Sequence, residues 1–120
     1  MSGPVLVVDD DPAIREAVRD VLEGEGIRVD TATDGADALA KVLEETPRLV
    51  LLDMRMPVMD GWGFARALQD RGLALPVVVM TAAADARRWA QEIGALGVVP
   101  KPIAVAELVS AVERYSAPAG

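Results

Sequence analysis

The stretch at residues 49–53 constrains this chain most, because four apolar residues, Leu-Val-Leu-Leu, are followed there by one acid, Asp53. A short apolar run that ends in a turn signal is typical of a strand buried on both faces of a parallel sheet. Asp53 then lies at the carboxyl end of the strand, where open α/β sheets bind their ligands. An acid at this position carries a desolvation cost and brings no structural benefit, so we expect Asp53 to have a chemical role.

Short apolar runs alternate with segments of helical periodicity along the rest of the chain. Strands are predicted at residues 5–8, 27–32, 49–53, 77–81 and 98–99. Helices are predicted at residues 12–24, from 35 to near 47, from 61 to about 71, at about 85–93, and from 105 onwards. Strict alternation of strands and helices implies a parallel sheet with right-handed crossovers and helices on both faces. The sequence therefore predicts a doubly wound α/β domain with a five-stranded parallel sheet.

Two local patterns add detail to this scheme. The fifth strand runs into Pro100-Lys101-Pro102, and because proline cannot donate to a sheet ladder, this strand is predicted at the edge of the sheet. In the second helix, helical spacing predicts one apolar face that consists of Ala38, Leu39, Val42 and Leu43.

The composition fits one compact domain and excludes several kinds of chemistry. With 120 residues, of which 52% are hydrophobic, we expect a single domain over residues 1–120 with its core at about residues 4–115. Residues 116–120, Ser-Ala-Pro-Ala-Gly, are expected to form a tail or the start of a linker. The absence of Cys and His excludes disulfides, thiol catalysis and the commonest metal ligand.

Charge and hydropathy limit the partners and the location. The formal net charge of -7 argues against direct binding to nucleic acid or to an anionic membrane surface. No stretch approaches the roughly 20 apolar residues of a membrane span, and the residues before the first strand lack a signal-peptide core. We therefore expect a cytoplasmic protein.

Polar side chains follow the ends of four predicted strands, and in a parallel sheet these ends meet at one edge. They are Asp9, Asp10 and Asp11 after the first strand, Asp53 after the third, Thr81 at the end of the fourth and Lys101 after the fifth. Carboxylates without His or Cys favour a hard cation such as Mg²⁺, which keeps waters and takes phosphate oxygens. Asp53 can then act as a nucleophile that forms an aspartyl phosphate, with Lys101 and Thr81 contacting the phosphoryl oxygens.

At these residues the chain resembles the receiver domains of response regulators in two-component signalling. The matching segments are Val-Val-Asp-Asp-Asp at 7–11, Leu-Asp-Met-Arg-Met-Pro-Val-Met-Asp-Gly at 52–61, Met-Thr-Ala at 80–82 and Lys-Pro at 101–102. The resemblance implies a flavodoxin-like fold with strand order 2-1-3-4-5. It also implies phosphoryl transfer to Asp53 from the phosphohistidine of a sensor histidine kinase or phosphotransfer protein. The implied Mg²⁺ ligands are Asp10, Asp53 and the backbone carbonyl of Arg55, with Asp9 assisting.

The resemblance also carries expectations about switching. It implies that Thr81 rotates toward the phosphoryl group, that the Lys101–Pro102 bond is cis, and that a downstream output domain or protein reads the change. Many receivers have Tyr or Phe three residues before the Lys, whereas this chain has Val98. An aromatic switch is therefore not available at that position.

Other interpretations of the same residues stay open at this point. Asp11 fits a helix cap, and Asp60-Gly61 fits a turn and a cap better than a pair of ligands. Trp62 and Trp89 fit core or partly buried helix positions, with a partner surface at Trp89 as the alternative.

Two alternatives concern the function as a whole. A haloacid-dehalogenase-type phosphatase also uses an aspartyl nucleophile, but it has a second acid two residues later, where this chain has Arg55. A degenerate receiver that only binds partners would not need the complete set of acids, Thr81 and Lys101. We therefore expect a signalling phosphoacceptor rather than an enzyme that turns over an external substrate.

Overall fold

The computed structural model describes residues 3–117, and its strands and helices alternate along this range. The elements are β1 (Val5–Val8), α1 (Pro12–Gly24), β2 (Val29–Ala32), α2 (Gly35–Glu44), β3 (Leu49–Asp53), α3 (Gly61–Asp70), β4 (Val77–Thr81), α4 (Ala86–Ile93), β5 (Gly97–Pro100) and α5 (Val105–Tyr115). None of the helices in the described range is long and apolar enough to cross a bilayer.

The five strands form one parallel sheet in the order β2-β1-β3-β4-β5. This is the flavodoxin-like order, so the predicted fold is confirmed, and β5 lies at the edge of the sheet as predicted. In register, Val8 pairs with Leu52, and Asp53 pairs with Met80. The carboxyl ends of β1, β3 and β4 therefore lie side by side.

Each face of the sheet is covered by its own apolar cluster. Alternate residues of β3 point to opposite faces, so Val50 and Leu52 contact α2, α3 and α4 while Leu49 and Leu51 contact α1 and α5. All five residues of β3 are buried, as expected for a strand with helices on both sides. This double cover confirms the predicted helices on both faces, and it removes the end of β3 from most of the solvent.

Several boundaries differ from the sequence predictions. Helix α2 ends at Glu44 rather than near residue 47, and β5 spans Gly97–Pro100 rather than residues 98–99. Strand β2 begins at Val29 rather than at residue 27, because the Ile27 N–H donates to Leu22 O at 3.0 Å and still closes the end of α1. Leu43 is 59% exposed and does not belong to the apolar face of α2. It lies about 100° around the helix from Val42, on the side away from Ala38.

Backbone contacts fix the loop that follows Asp53. The Gly61 N–H donates to Met54 O at 3.0 Å, and the Gly35 N–H at the start of α2 donates to Met59 O at 2.8 Å. A Cβ at Gly61 would lie 2.5 Å from Met54 Sδ and 2.8 Å from Met54 Cα. Glycine at position 61 therefore allows α3 to begin directly against the backbone that leaves the site.

The ends of the described range also have defined contacts. Ser116 Oγ donates to Val112 O at 2.6 Å, and the Ala117 N–H donates to Arg48 O at 2.8 Å. Ala117 of the predicted tail thus lies against the residue before β3, while Ser116 is bonded to the end of α5. Residues 118–120 lie outside the described residues. The Lys101–Pro102 bond is cis, as the resemblance implies.

We predict that Gly61→Ala lowers the free energy of unfolding by about 1–3 kcal/mol, because the new methyl group meets backbone atoms that cannot move aside without shifting the loop. Gly24→Ala is the matched control, since a Cβ at Gly24 meets nothing within 4 Å. Urea unfolding followed by circular dichroism measures both variants. Equal stability of the two variants would show that the close approach at Gly61 is not a constraint.

Candidate functional site

Three carboxylates meet at the carboxyl edge of the sheet. Oxygen atoms of Asp9, Asp10 and Asp53 lie within 4.8 Å of one another. Asp9 is completely buried and Asp53 is 8% exposed, whereas Asp10 is exposed. The cluster is therefore enclosed by protein on one side and accessible from the other.

The position of Asp9 follows from the strand before it. Its N–H donates to Ala32 O at 3.1 Å and continues the ladder between β1 and β2. The Asp11 N–H donates to Asp9 Oδ1 at 2.9 Å, and Arg15 Nη1 donates to Asp9 O at 2.8 Å. The carboxylate is thus held by the turn that starts α1, and it cannot move away from Asp53 when the two charges repel.

Lys101 is the cation of this cluster. Its Nζ lies 2.8 Å from Asp9 Oδ2 and 3.8 Å from Asp53 Oδ1. The Lys101 N–H donates to Thr81 O at 3.1 Å, which continues the ladder from β4 to β5 and aims the side chain back over the acids. One ammonium group is shared by two buried carboxylates.

Thr81 ends β4 and lies at the same edge of the sheet. It is 8% exposed, and its Oγ1 accepts a hydrogen bond from the Ala83 N–H at 3.1 Å. Because a hydroxyl is both a donor and an acceptor, Thr81 can also donate to an oxygen placed beside it.

The surroundings of Asp53 raise its pKa from 3.8 to about 6. Burial is the largest cause, and repulsion by Asp9 is the second; the ammonium of Lys101 and the amide N–H of Arg55 act in the opposite direction. Two carboxylates 4 Å apart near a protein surface repel by about 4 kcal/mol at an effective dielectric constant of about 20. One shared ammonium group does not remove this repulsion.

The donor set fits a hard divalent cation. It consists of oxygen atoms alone, it carries more negative than positive charge, and one of its members faces solvent. These properties match Mg²⁺, which takes carboxylate oxygens and keeps several waters. The Arg55 N–H lies 3.5 Å from Asp53 Oδ1. The backbone of Arg55, whose carbonyl is the fourth predicted ligand, therefore lies next to the cluster.

The structure thus brings together Asp9, Asp10, Asp53 and Lys101, and it places Thr81 at the same edge and Arg55 in the adjoining loop. Two other acids are helix caps, as predicted. Asp11 Oδ1 accepts from the Ala13 N–H at 2.9 Å, and Asp60 Oδ1 accepts from the Gly63 N–H at 2.8 Å.

Sequence reasoning missed two contributors to this region. Arg15, which holds the carbonyl of Asp9, lies one turn into α1, and its spacing from the helix cap was the available signal. The Arg55 guanidinium lies over the ring of Trp89, 5.0 Å from the centroid, and no local pattern predicts that contact. Trp89 itself is buried, as expected of a core residue.

Comparison with known proteins agrees with this geometry. The family model described as response regulator receiver domain matches residues 5–113. The DNA-binding transcriptional regulator NtrC of Escherichia coli K12 is 40% identical over 114 residues, which cover 93% of this chain and 24% of NtrC. The response regulator MprA of Mycobacterium ulcerans is 39% identical over 112 residues, covering 92% of this chain and 48% of MprA. The chain therefore spans about a quarter to about half of these curated relatives.

Solved structures show the same fold. The chemotaxis protein CheY4 of Vibrio cholerae has a TM-score of 0.86 and 30% identity, over 96% of this chain and 99% of that chain. The receiver domain of NtrX from Brucella abortus has a TM-score of 0.83 and 32% identity, over 92% of this chain and 95% of that chain.

We predict a pH-dependent destabilisation that originates at Asp53. Its folded-state pKa of about 6 lies above the ordinary value of 3.8, so the folded protein binds the proton more tightly than the unfolded chain. This contribution favours the folded state at pH 5 and is lost as the pH rises through 6, a change of about 1 kcal/mol.

Urea unfolding with a chelator present measures the effect. The wild type should lose about 1 kcal/mol of unfolding free energy between pH 5 and pH 7 relative to Asp53→Asn, which cannot ionise. Asp70→Asn, which changes an exposed acid of α3, is the control. If the wild type and Asp53→Asn change in parallel, the carboxylate is not perturbed.

Proposed function

We propose, from the premise that this chain belongs to the family of response regulator receiver domains, that Asp53 accepts a phosphoryl group from a histidine kinase in a Mg²⁺-dependent reaction. The observation that carries this proposal is the buried Asp53 carboxylate beside Asp9, Asp10 and the ammonium of Lys101. A carboxylate in this setting has one exposed side from which a phosphohistidine can approach. The phosphorylated domain then changes conformation and signals to a partner or an output domain.

The transfer uses the chain's own residues in distinct roles. An Asp53 oxygen attacks the phosphorus, the bond from phosphorus to the donor imidazole breaks, and the imidazole leaves with the electron pair. The Lys101 ammonium exchanges its carboxylate partner for the phosphoryl oxygens, and the Thr81 hydroxyl donates a hydrogen bond to one of these oxygens. Mg²⁺ held by the carboxylates would supply positive charge that offsets the negative charge of the phosphoryl group.

We propose Asp9, Asp10, Asp53 and the carbonyl of Arg55 as the groups that hold the cation. Their support is the oxygen-only donor set and its excess of negative charge. Since Asp53 must be ionised to attack, positive charge at this site also favours the reactive form of the nucleophile.

We propose that the protein is a phosphoacceptor and does not turn over an external substrate. Arg55 stands two residues after Asp53, where a haloacid-dehalogenase-type enzyme has its acid/base carboxylate, and a guanidinium cannot serve as that base. Loss of the phosphoryl group then relies on water at the aspartyl phosphate.

The proposed partners are a sensor histidine kinase or phosphotransfer protein upstream and an unidentified output downstream. We propose that residues 4–115 form the receiver core, that residues 116–120 begin a tail or linker, and that the domain acts in the cytoplasm. The net charge of -7 supports a receiver that does not itself contact nucleic acid or membrane. NtrC is named as a DNA-binding transcriptional regulator, but this chain covers only 24% of NtrC, so we do not extend that activity to this chain.

We expect acetyl phosphate and Mg²⁺ to add one phosphoryl group to the wild type, measured by intact-mass spectrometry. Asp53→Asn should not be labelled, because the amide is a poor nucleophile. Asp60→Asn is the matched control, since Asp60 is an exposed helix cap in the loop after Asp53 and should leave labelling unchanged. Equal labelling of Asp53→Asn and the wild type would contradict the proposal.

We also expect Mg²⁺ to stabilise the folded state. Binding to the native protein alone at ten times the dissociation constant adds about 1.4 kcal/mol, or a rise of a few degrees in melting temperature. Asp10→Asn should lose most of this rise. Asp11→Asn removes a neighbouring negative charge but not a proposed ligand, and because asparagine caps helices about as well as aspartate, this variant should keep the full response. A wild-type melting curve that ignores millimolar Mg²⁺ would count against the metal site.

A further inference from the structure

The Arg55 side chain turns away from the carboxylate cluster and lies over an aromatic ring. Its guanidinium carbon is 5.0 Å from the centroid of Trp89, which is within the range of a cation–π interaction. The ion pairs formed within residues 3–117 do not include Arg55. The ring is therefore the partner that the structure provides for this charge, while the side chain itself is exposed.

Trp89 connects this contact to two helices. Its ring lies 5.0 Å from the ring of Trp62 in α3, at an interplanar angle of 68°, which is an edge-to-face arrangement. Trp62 Nε1 donates to Glu92 Oε1 of α4 at 3.0 Å. The Arg55 guanidinium thus rests on an aromatic pair that joins α3 to α4.

Helix α4 has few local sources of stability. It has eight residues, and its N-cap residue Asp85 makes no side-chain capping hydrogen bond. Aspartate side chains cap α1, α2 and α3, whereas α5, like α4, begins without a side-chain cap but has 11 residues. A helix this short is not stable in water by itself, so α4 depends on the burial of Ala86, Trp89 and Ala90. A change in the surroundings of Trp89 therefore affects the whole helix.

We propose that Arg55 is a switching residue: it lies on Trp89 while Asp53 is unmodified, and it moves to the phosphoryl group once Asp53 carries one. The move frees Trp89 from its cation and loosens α4. This inference rests on the proposed function, because it needs a phosphoryl group on Asp53. Through Arg55 and Trp89, a change at Asp53 then alters the surface of α4.

Competition for one guanidinium is the physical reason. Phosphoryl oxygens accept charge-assisted hydrogen bonds in the forked geometry that Arg matches, and such bonds are stronger than an exposed cation–π contact. Arg55 is near enough to respond, since its own N–H lies 3.5 Å from Asp53 Oδ1. The guanidinium is joined to this backbone by a flexible side chain, so the proposed move is a rotation about side-chain bonds.

The contact from Arg55 to Trp89 also fits the identity of residue 98. Val98 is partly buried against the apolar cluster beneath α2, α3 and α4, and as an aliphatic residue it has no ring that could follow Thr81. The contact from Arg55 to Trp89 reaches α4 without passing through residue 98.

Two NMR readouts test the switch. The indole N–H resonances of Trp62 and Trp89, assigned with Trp62→Phe, are recorded before and after addition of Mg²⁺ and beryllofluoride, a stable analogue of the phosphoryl group. We expect the Trp89 resonance to shift in the wild type and the shift to be largely lost in Arg55→Gln. Fluorine-19 NMR of the same samples reports whether the analogue is bound.

The second readout needs no analogue. Without beryllofluoride, amides of α4 should exchange with solvent about two- to fivefold faster in Arg55→Gln than in the wild type, because one cation–π contact is lost. Arg66→Gln is the charge-matched control, since Arg66 is exposed on α3 and pairs with Asp70. It should leave the α4 exchange rates unchanged.

The outcomes separate this inference from the proposed function. A Trp89 resonance that stays in place while beryllofluoride is bound, or that moves equally in Arg55→Gln, overturns the switch and leaves phosphorylation of Asp53 intact. Unchanged α4 exchange in Arg55→Gln overturns the switch as well. A wild-type protein that binds no beryllofluoride contradicts the proposed function itself.

Discussion

The site depends on the repulsion among three carboxylates. The backbone holds these carboxylates together, and one ammonium group offsets only part of the repulsion. Burial raises the pKa of Asp53 to about 6, and the neighbouring Asp9 adds to the rise. Lys101 is shared between these two acids, 2.8 Å from one and 3.8 Å from the other. The sheet ladders on either side keep the acids from separating. A ligand that brings positive charge to the unmodified site therefore lowers the repulsion among the carboxylates.

The same edge of the sheet joins a rigid part of the fold to a weakly held one. Strand β3 is buried along its whole length, and the loop after Asp53 is fixed by the backbone of Gly61 and Gly35. Helix α4 lacks a side-chain cap and relies on Trp89 for much of its burial. A charge change at Asp53 therefore takes place among acids that the backbone holds in place, close to a helix that depends on tertiary packing.

Much of the fold and of the site was predictable because parallel strands bring their carboxyl ends to one edge. Apolar runs that end in Asp9, Asp53 and Thr81 are local patterns, and the topology converts them into neighbours. The exposure of Leu43 was not predictable from helical spacing alone. Spacing puts Leu43 at the margin of the apolar face of α2, and it does not show how much of that margin the sheet covers. The contact from Arg55 to Trp89 joins residues far apart in sequence, so no periodicity reports it.

Chemical mapping of the phosphorylated residue tests the central claim most directly. Borohydride reduces an aspartyl phosphate to homoserine, and trypsin releases residues 49–55 as a peptide in which Asp53 is the only acid. After treatment with acetyl phosphate and Mg²⁺, peptide mass spectrometry should find homoserine in this peptide alone. Homoserine in the peptides that carry Asp9 to Asp11 or Asp60, with residues 49–55 unmodified, would contradict the account.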